Sequence, residues 1–207
     1  MYVLVHQGRV LVGPMAWNRA MFDGNLEKLK INFLLPRSEP TNLPLQINES
    51  TVIKRVEFNY PEYNKKTHYL EGPYWNHEGE VSIAFYEVKP QPVEAVKARL
   101  KEVVAENRWK KEVAGTQVTV QGKQVTVDTS RGNRDVFVQK YLLMPEDGVV
   151  GWKFPEGWFT LSKPDLGAVV QAGAAHVESA FAWEAQKVTL IDYCNTLAEL
   201  DAINLDE

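Results

Sequence analysis

Polar and apolar residues alternate in short runs through the first 88 positions. Tyr2-Val3-Leu4-Val5 and Val10-Leu11-Val12 flank Gln7-Gly8, which predicts a hairpin with an early turn. Pro14 to Phe22 is expected to form a short helix, with Pro14 near its start and Gly24 near its end. Pro36, Pro40 and Pro44 make residues 36–48 an extended loop. Thr51 to Phe58 alternates around Val52 and Val56, with Ile53 blurring the period. Glu80 to Val88 is a clearer strand, with Val81, Ile83 and Phe85 on one face.

The period changes after Lys89-Pro90-Gln91-Pro92, a boundary because proline fits neither a helix interior nor a central strand. An amphipathic helix is expected over residues 92–112. Val93, Val96, Leu100, Val103, Val104 and Asn107 share one side, and Lys110 and Lys111 suit the negative C-terminal end. Gln117 to Val120 and Gln124 to Val127 then alternate around Gln121-Gly122-Lys123, a second hairpin. Asp128, Thr129 or Ser130 caps a helix that stops before Pro145. Val149 to Phe154 and Gly157 to Leu161 read as paired strands.

Ser162, Pro164 and Asp165 resemble a capping box opening a long C-terminal helix. Leu166, Val170, Gly173, Val177 and Ala180 follow heptad steps that Glu184 and Lys187 interrupt. Gly167, Ala168, Ala172, Gly173, Ala174 and Ala175 make the early part thin enough for another backbone to approach. The fold class is therefore α+β: a β-rich N-terminal region, a connecting amphipathic helix, and a C-terminal hairpin plus helices ending in a long alanine-rich helix.

Composition narrows the role. The 207 residues are 44% hydrophobic and 24% charged, ordinary for a globular chain. A net charge of -4 argues against nucleic-acid binding by the whole chain, which needs a basic surface. No stretch approaches 18 apolar residues, so no membrane span is expected. Met1 to Val5 is apolar but stops at His6-Gln7-Gly8, too short for a secretory signal. The single cysteine, Cys194, fits a reducing compartment, so the chain is expected to stay in the cytoplasm where it is made.

The recognisable routes to catalysis are missing. Gly122-Lys123 lacks the glycine spacing of a phosphate loop, no HExxH or GxSxG occurs, and the four histidines are scattered. A non-enzymatic protein with no cofactor and no metal site is expected. His77-Glu78 reads as an exposed turn rather than an acid-base pair. Arg108-Trp109-Lys110-Lys111 reads as a solvated helix end rather than an anion patch, and Cys194 as a small buried hydrophobe. The aromatics from Phe58 to Tyr86 divide between core packing, a protein interface and glycan contact. Tyr60-Pro61-Glu62-Tyr63 and the Gly72-Pro73-Tyr74-Trp75-Asn76 turn are not strand-like, so not all these rings can be core.

The hairpin VTVQGKQVTVDTSRGNRD (118–135), the Val-Gly-Trp-Lys segment (150–153), Trp158-Phe159-Thr160-Leu161-Ser162 and the helix GAVVQAGAAHVESAFAWEAQKV (167–188) follow one another in order. In that order, Thr116 to about Tyr193 resembles a small uncharacterised α+β domain that recurs at the C-termini of phage tail-fibre and other phage tail proteins. Val3 to Val88, including GPMAWNRAMF and LEGPYWN, looks like the front half of proteins from large contractile-tailed phages. The resemblance implies a bacteriophage tail protein, made in the host cytoplasm and carried in the virion. It transfers no catalytic residue. A fibre's long repetitive shaft has no counterpart here, so a baseplate component, short fibre or fibre-attachment adaptor is expected. The alternatives are a tail-fibre assembly chaperone and a host-glycan receptor-binding module.

The expected domains are a β-rich docking domain (1–88), a Pro-containing junction with its helix (89–114), and the phage-tail-type α+β domain (115–207). Expected partners are other phage tail proteins and further copies of the chain, with host glycan as a third possibility. Tyr63, Tyr69, Tyr74, Trp75, Trp152, Trp158, Ala172 and Gly173 are the candidate interface residues.

Overall fold

The computed structural model describes residues 1–205. The chain divides into two compact units, Met1–Pro90 and Gln91–Glu207, with the break at the proline pair. The fold is α+β, with strands dominating the first unit and a long helix organising the second.

The first unit is a six-stranded sheet. Its elements are β1 (Tyr2–His6), β2 (Arg9–Met15), α1 (Arg19–Lys28), β3 (Leu45–Asn48), β4 (Thr51–Asn59), β5 (His68–Asn76) and β6 (Val81–Pro90). The strand order is β2-β1-β4-β6-β5, with β3 also paired to β4. β4 and β6 run parallel, and the other pairs are antiparallel. Positive φ at Gln7 and Gly8 gives the two-residue turn whose twist matches its flanking strands. Tyr2, Leu4 and Ile53 pack with Phe22 and Leu26 of α1 on one face, and Val3, Val5, Val56 and Ala84 cluster on the other.

Three local expectations need correction here. Pro14 lies in β2, not at the start of a helix, and α1 begins only after Asn18. The Asn18 carboxamide accepts the Met21 N–H at 3.2 Å, so the cap fixes the start, while an edge strand tolerates the missing N–H of Pro14. Gly13 just before it is obligatory, because a Cβ there would stand 2.4 Å from the Tyr2 carbonyl. Next, the segment Gly72 to Asn76 is strand, not turn. A register shift between Glu71 and Tyr74 absorbs Gly72 and Pro73 as a bulge on the edge strand β5. Lastly, Val81, Ile83 and Phe85 share a side, but Ser82 and Ala84 of β6 are the buried residues.

The second unit contains α2 (Val93–Glu112), β7 (Thr116–Val120), β8 (Lys123–Val127), α3 (Arg131–Leu143), β9 (Val149–Phe154), β10 (Gly157–Ser162), α4 (Lys163–Tyr193) and α5 (Leu197–Asp201). β7–β8 and β9–β10 are antiparallel hairpins. Ser162 and Asp165 form the capping box of α4, with proline in its first turn. At 31 residues, α4 spans roughly 46 Å and serves two cores. Leu166 and Val169 of its first half pack with Val120, Val125, Phe137 and Phe154. Ile191 of its second half packs with Val96, Leu100 and Val104 of α2 and Leu200 of α5.

α2 thus lies inside the second unit and packs on α4 rather than standing between two bodies. Glu184 and Lys187, which interrupt the apolar heptad, make polar contacts to other parts of the second unit. Glu184 accepts from the Arg108 guanidinium of α2 at 3.1 Å, and Lys187 donates to the Asn204 carbonyl at 2.8 Å.

Candidate docking surface

The start of α3 is firmly anchored. Asp128 accepts the Ser130 N–H at 2.7 Å and also the Asn133 side-chain amide. Buried Thr129 donates to the Glu112 carbonyl at 2.7 Å and accepts the Gly115 N–H at 2.9 Å. Glu112, 1% exposed, holds both helices: Arg134 of α3 donates to one carboxylate oxygen at 2.6 Å and Arg108 of α2 to the other. Burial by itself pushes the Glu112 carboxyl up. The hydrogen bonds from Arg134 and Arg108, with the nearby charges of Arg134 and Arg131, outweigh that and hold it below the ordinary carboxylate range.

The rest of α3 is nearly bare. Phe137 is its one fully buried residue. Val136 and Val138 are each 40% exposed, Leu142 70% and Leu143 83%. Grooves flank the helix on two sides. Toward β9, Val136, Leu143, Val149 and Val150 line a hollow of about 360 Å³. Toward α4, Val138, Val170, Gly173 and Ala174 line one of about 380 Å³. A third, about 580 Å³, is lined by Phe137, Trp152, Phe154, Pro155 and Trp158. Isolated exposed leucines are normal on a protein surface; here they fall into two pairs, Val136 and Leu143 beside the groove toward β9, and Val138 and Leu142 beside the hollows toward α4.

The eight sequence candidates fall four to each unit. In the second unit, Trp158 is 75% exposed beside Lys153, on the outer face of its hairpin. Trp152 faces inward, its ring 4.3 Å from that of Phe137. Ala172 is half-buried and Gly173 buried. Among the described residues, a Cβ at Gly173 would meet nothing within 4 Å beyond its own helix turn, so no other element closes on the thin helix there.

In the first unit, Tyr69 and Tyr74 are exposed on one side of β5, where the Tyr74 hydroxyl donates to Glu71 at 2.8 Å. That bond raises the Tyr74 phenol above its ordinary value. Trp75 points to the opposite face, joins the Val3–Val5 cluster and stacks on His77. Tyr63 is half-buried in the loop before β5. Sequence reasoning missed Val136, Val138, Leu142, Leu143 and Val149. The available signal was the run Val136-Phe137-Val138…Tyr141-Leu142-Leu143, which carries more apolar residues than one helix face can bury.

The chemistry-bearing residues are held in structural contacts. His77 hydrogen-bonds the buried Ser82 hydroxyl at 2.9 Å and not Glu78, whose N–H is taken by Asn76. Burial, then the Lys54 charge, pushes His77 below its usual value. In the basic run, Lys110 pairs with Glu106 at 2.8 Å and Lys111 sits over the Trp183 ring, so the charges face different neighbours. The Cys194 thiol donates to the Leu190 carbonyl at 3.3 Å. Among the described residues, no group of three or more His, Cys, Asp or Glu is placed to hold a metal ion. No helix among them is long and apolar enough to cross a membrane.

The second unit, two hairpins and a bare helix gathered on one long helix, is a self-contained α+β domain. The chain belongs to the family described as a domain of unknown function (DUF4376), which matches residues 95–204. That span takes in α2 from its first turn and runs through α5, the same elements that share the two cores. No curated protein and no solved structure matches the chain.

Proposed function

We propose that this protein is a structural component of a bacteriophage particle, acting in the tail as a baseplate component, short fibre or fibre-attachment adaptor. Its work is mechanical: it docks on other tail proteins, and no reaction is assigned to it. The observation that carries the docking role is α3, whose Leu142 and Leu143 stand 70% and 83% in water on an otherwise anchored helix. Leaving such side chains exposed forfeits about 1.5–3 kcal/mol each relative to burying them, which a partner surface recovers. The resemblance of residues 116–193 to domains of phage tail proteins supplies the setting.

Quantitative mass spectrometry of purified particles tests this directly. A fixed copy number relative to the major tail-tube protein, in multiples of three or six, is the expected result. Particles that are complete without the chain overturn it, and make a tail-fibre assembly chaperone the better reading. Exposed Tyr69 and Tyr74 on β5 favour a second reading, contact with host-surface glycan. A glycan array probed with the assembled protein decides that case, and silence across the array rejects it.

A further inference from the structure

The outer edge of β9 has no strand beside it. The two-residue turn at Pro155 and Glu156 makes Phe154 and Gly157 a hydrogen-bonded pair, so by alternation Trp152 and Val150 also bond to β10. Val149, Gly151 and Lys153 therefore turn their N–H and C=O groups away from β10, and no third strand joins this hairpin. Two hollows open onto that edge. Residues 151–155 line the larger and residues 148–150 the smaller. Side chains of consecutive strand residues point to opposite faces, so an unbroken run lines a hollow through its backbone edge. α3 forms the other wall, with Asn133 and Phe137 in one hollow and Val136, Lys140 and Leu143 in the other.

Two other edges of the second unit are closed by side chains. On β8, the outward Thr126 N–H donates to the Glu156 carboxylate at 3.1 Å, and the Thr126 hydroxyl does so at 2.6 Å. On β10, the outward Thr160 carbonyl accepts from the Gln121 side-chain amide at 2.7 Å. None of the described residues bonds to the outward groups of β9. An open edge is a template for pairing with another chain, and folds commonly blunt it. Gly151 lies in the middle of this one, where a Cβ would meet nothing within 4 Å. Glycine weakens a strand interior, and it suits a place where another backbone comes close.

We infer that this trough takes an extended segment of a partner protein, added to β9 as a new strand beside α3. A row of outward N–H and C=O groups is matched by an extended backbone, which carries the complementary row at the same spacing. β9 has six residues, so the added strand covers about 20 Å. Every second side chain of the segment then faces α3, where Val136 and Leu143 are exposed and apolar. The free charges of the trough have one sign. Lys140 and Lys153 line the two hollows with no partner among the described residues, whereas Asp128 is held by Ser130 and Asn133. The segment is therefore apolar at alternate positions and acidic between them. The assignment rests on the docking reading above and gives the chemistry of what docks.

A pool of synthetic peptides tests it, with Asp or Glu alternating with Val, Leu or Phe, added to the full chain. Amide resonances and hydrogen exchange are followed. The Gly151 and Lys153 amides should become protected, and binding should weaken with added salt. N-methylating the peptide amides at either the acidic or the apolar positions should abolish binding, while methylating the other set leaves it. Only one edge of an added strand pairs with β9. Leu143→Asp and Lys140→Glu, both at exposed positions, should leave the melting transition unchanged and weaken binding at least about fivefold. A pool that does not bind, protection that spares β9, or equal loss from both methylated sets overturns the strand addition. Particles that carry the chain while the pool fails overturn it and leave the docking reading intact. Particles that lack the chain, with β9 still protected by the pool, do the reverse.

Discussion

α2 and α3 both lie against α4 in the same unit, and both are rich in valine and leucine, yet they end in opposite conditions. α2 buries Val96, Leu100 and Val104 against Ile191 and Leu200. α3 buries Phe137 alone and leaves both leucines of its last turn in water. The difference lies in what stands across from each helix. α2 is enclosed by the second half of α4 and by α5. α3 meets α4 along one narrow line and has open grooves on either flank. One helix is largely covered within the chain, and the other presents apolar side chains that the described residues leave exposed.

The sharpest way to break this comparison is at Glu112, where both helices are tied. Glu112→Ala leaves Arg108 and Arg134 without their shared acceptor, and should destabilise the second unit by about 3–5 kcal/mol in urea unfolding. A loss below about 1 kcal/mol would mean that the anchor is dispensable. Core truncation follows. Leu100→Ala on α2 should cost about 3 kcal/mol, and Leu143→Ala on α3 about 0.5 kcal/mol or less, in the isolated chain. Equal costs would show that α3 is already covered.

Acid probes the same anchor more gently. Glu112, Asp128 and Asp165 all have carboxyls held below their ordinary values. A depressed folded-state pKa contributes stability that is complete above the unfolded value. That contribution is lost as pH falls through the folded one. Stability of the second unit should therefore be flat down to about pH 5 and fall steadily below about pH 4. Thermal melts across that range check it, and Glu112→Ala should flatten the slope. The smallest effect belongs to the cap of α4. Ser162→Ala should cost about 1 kcal/mol, since only the first turn loses its acceptor.

Much of the fold was legible because its signals are local. The glycine turns after β1 and β7, the capping box of α4 and the period of α2 each depend on a few adjacent residues, and each forms where the sequence places it. The misses involve competition between local signals or help from a distant strand. Asn18 outranked Pro14 as a helix start because its carboxamide satisfies an amide that proline cannot. Gly72-Pro73 looks like a turn in isolation, and becomes a bulge only because β6 pairs with the residues on both sides. At the candidate surface, residue type identified Trp158, Tyr69 and Tyr74 as available rings. It could not tell that Trp75 points into a core. Nor could it tell that Leu142 and Leu143 do not.

The sequence by itself determined the turns after β1 and β7, the capped start of α4 and the change of period at Lys89–Pro92. Backbone dihedral preferences and capping hydrogen bonds act within a few residues, so no partner is needed to set them. The tertiary structure decided which apolar side chains are covered. Burial belongs to pairs of surfaces, and Val104 is dry because Leu200, almost a hundred positions away, folds back onto the same core. For Leu142 no such residue exists among those described, so it stays 70% exposed.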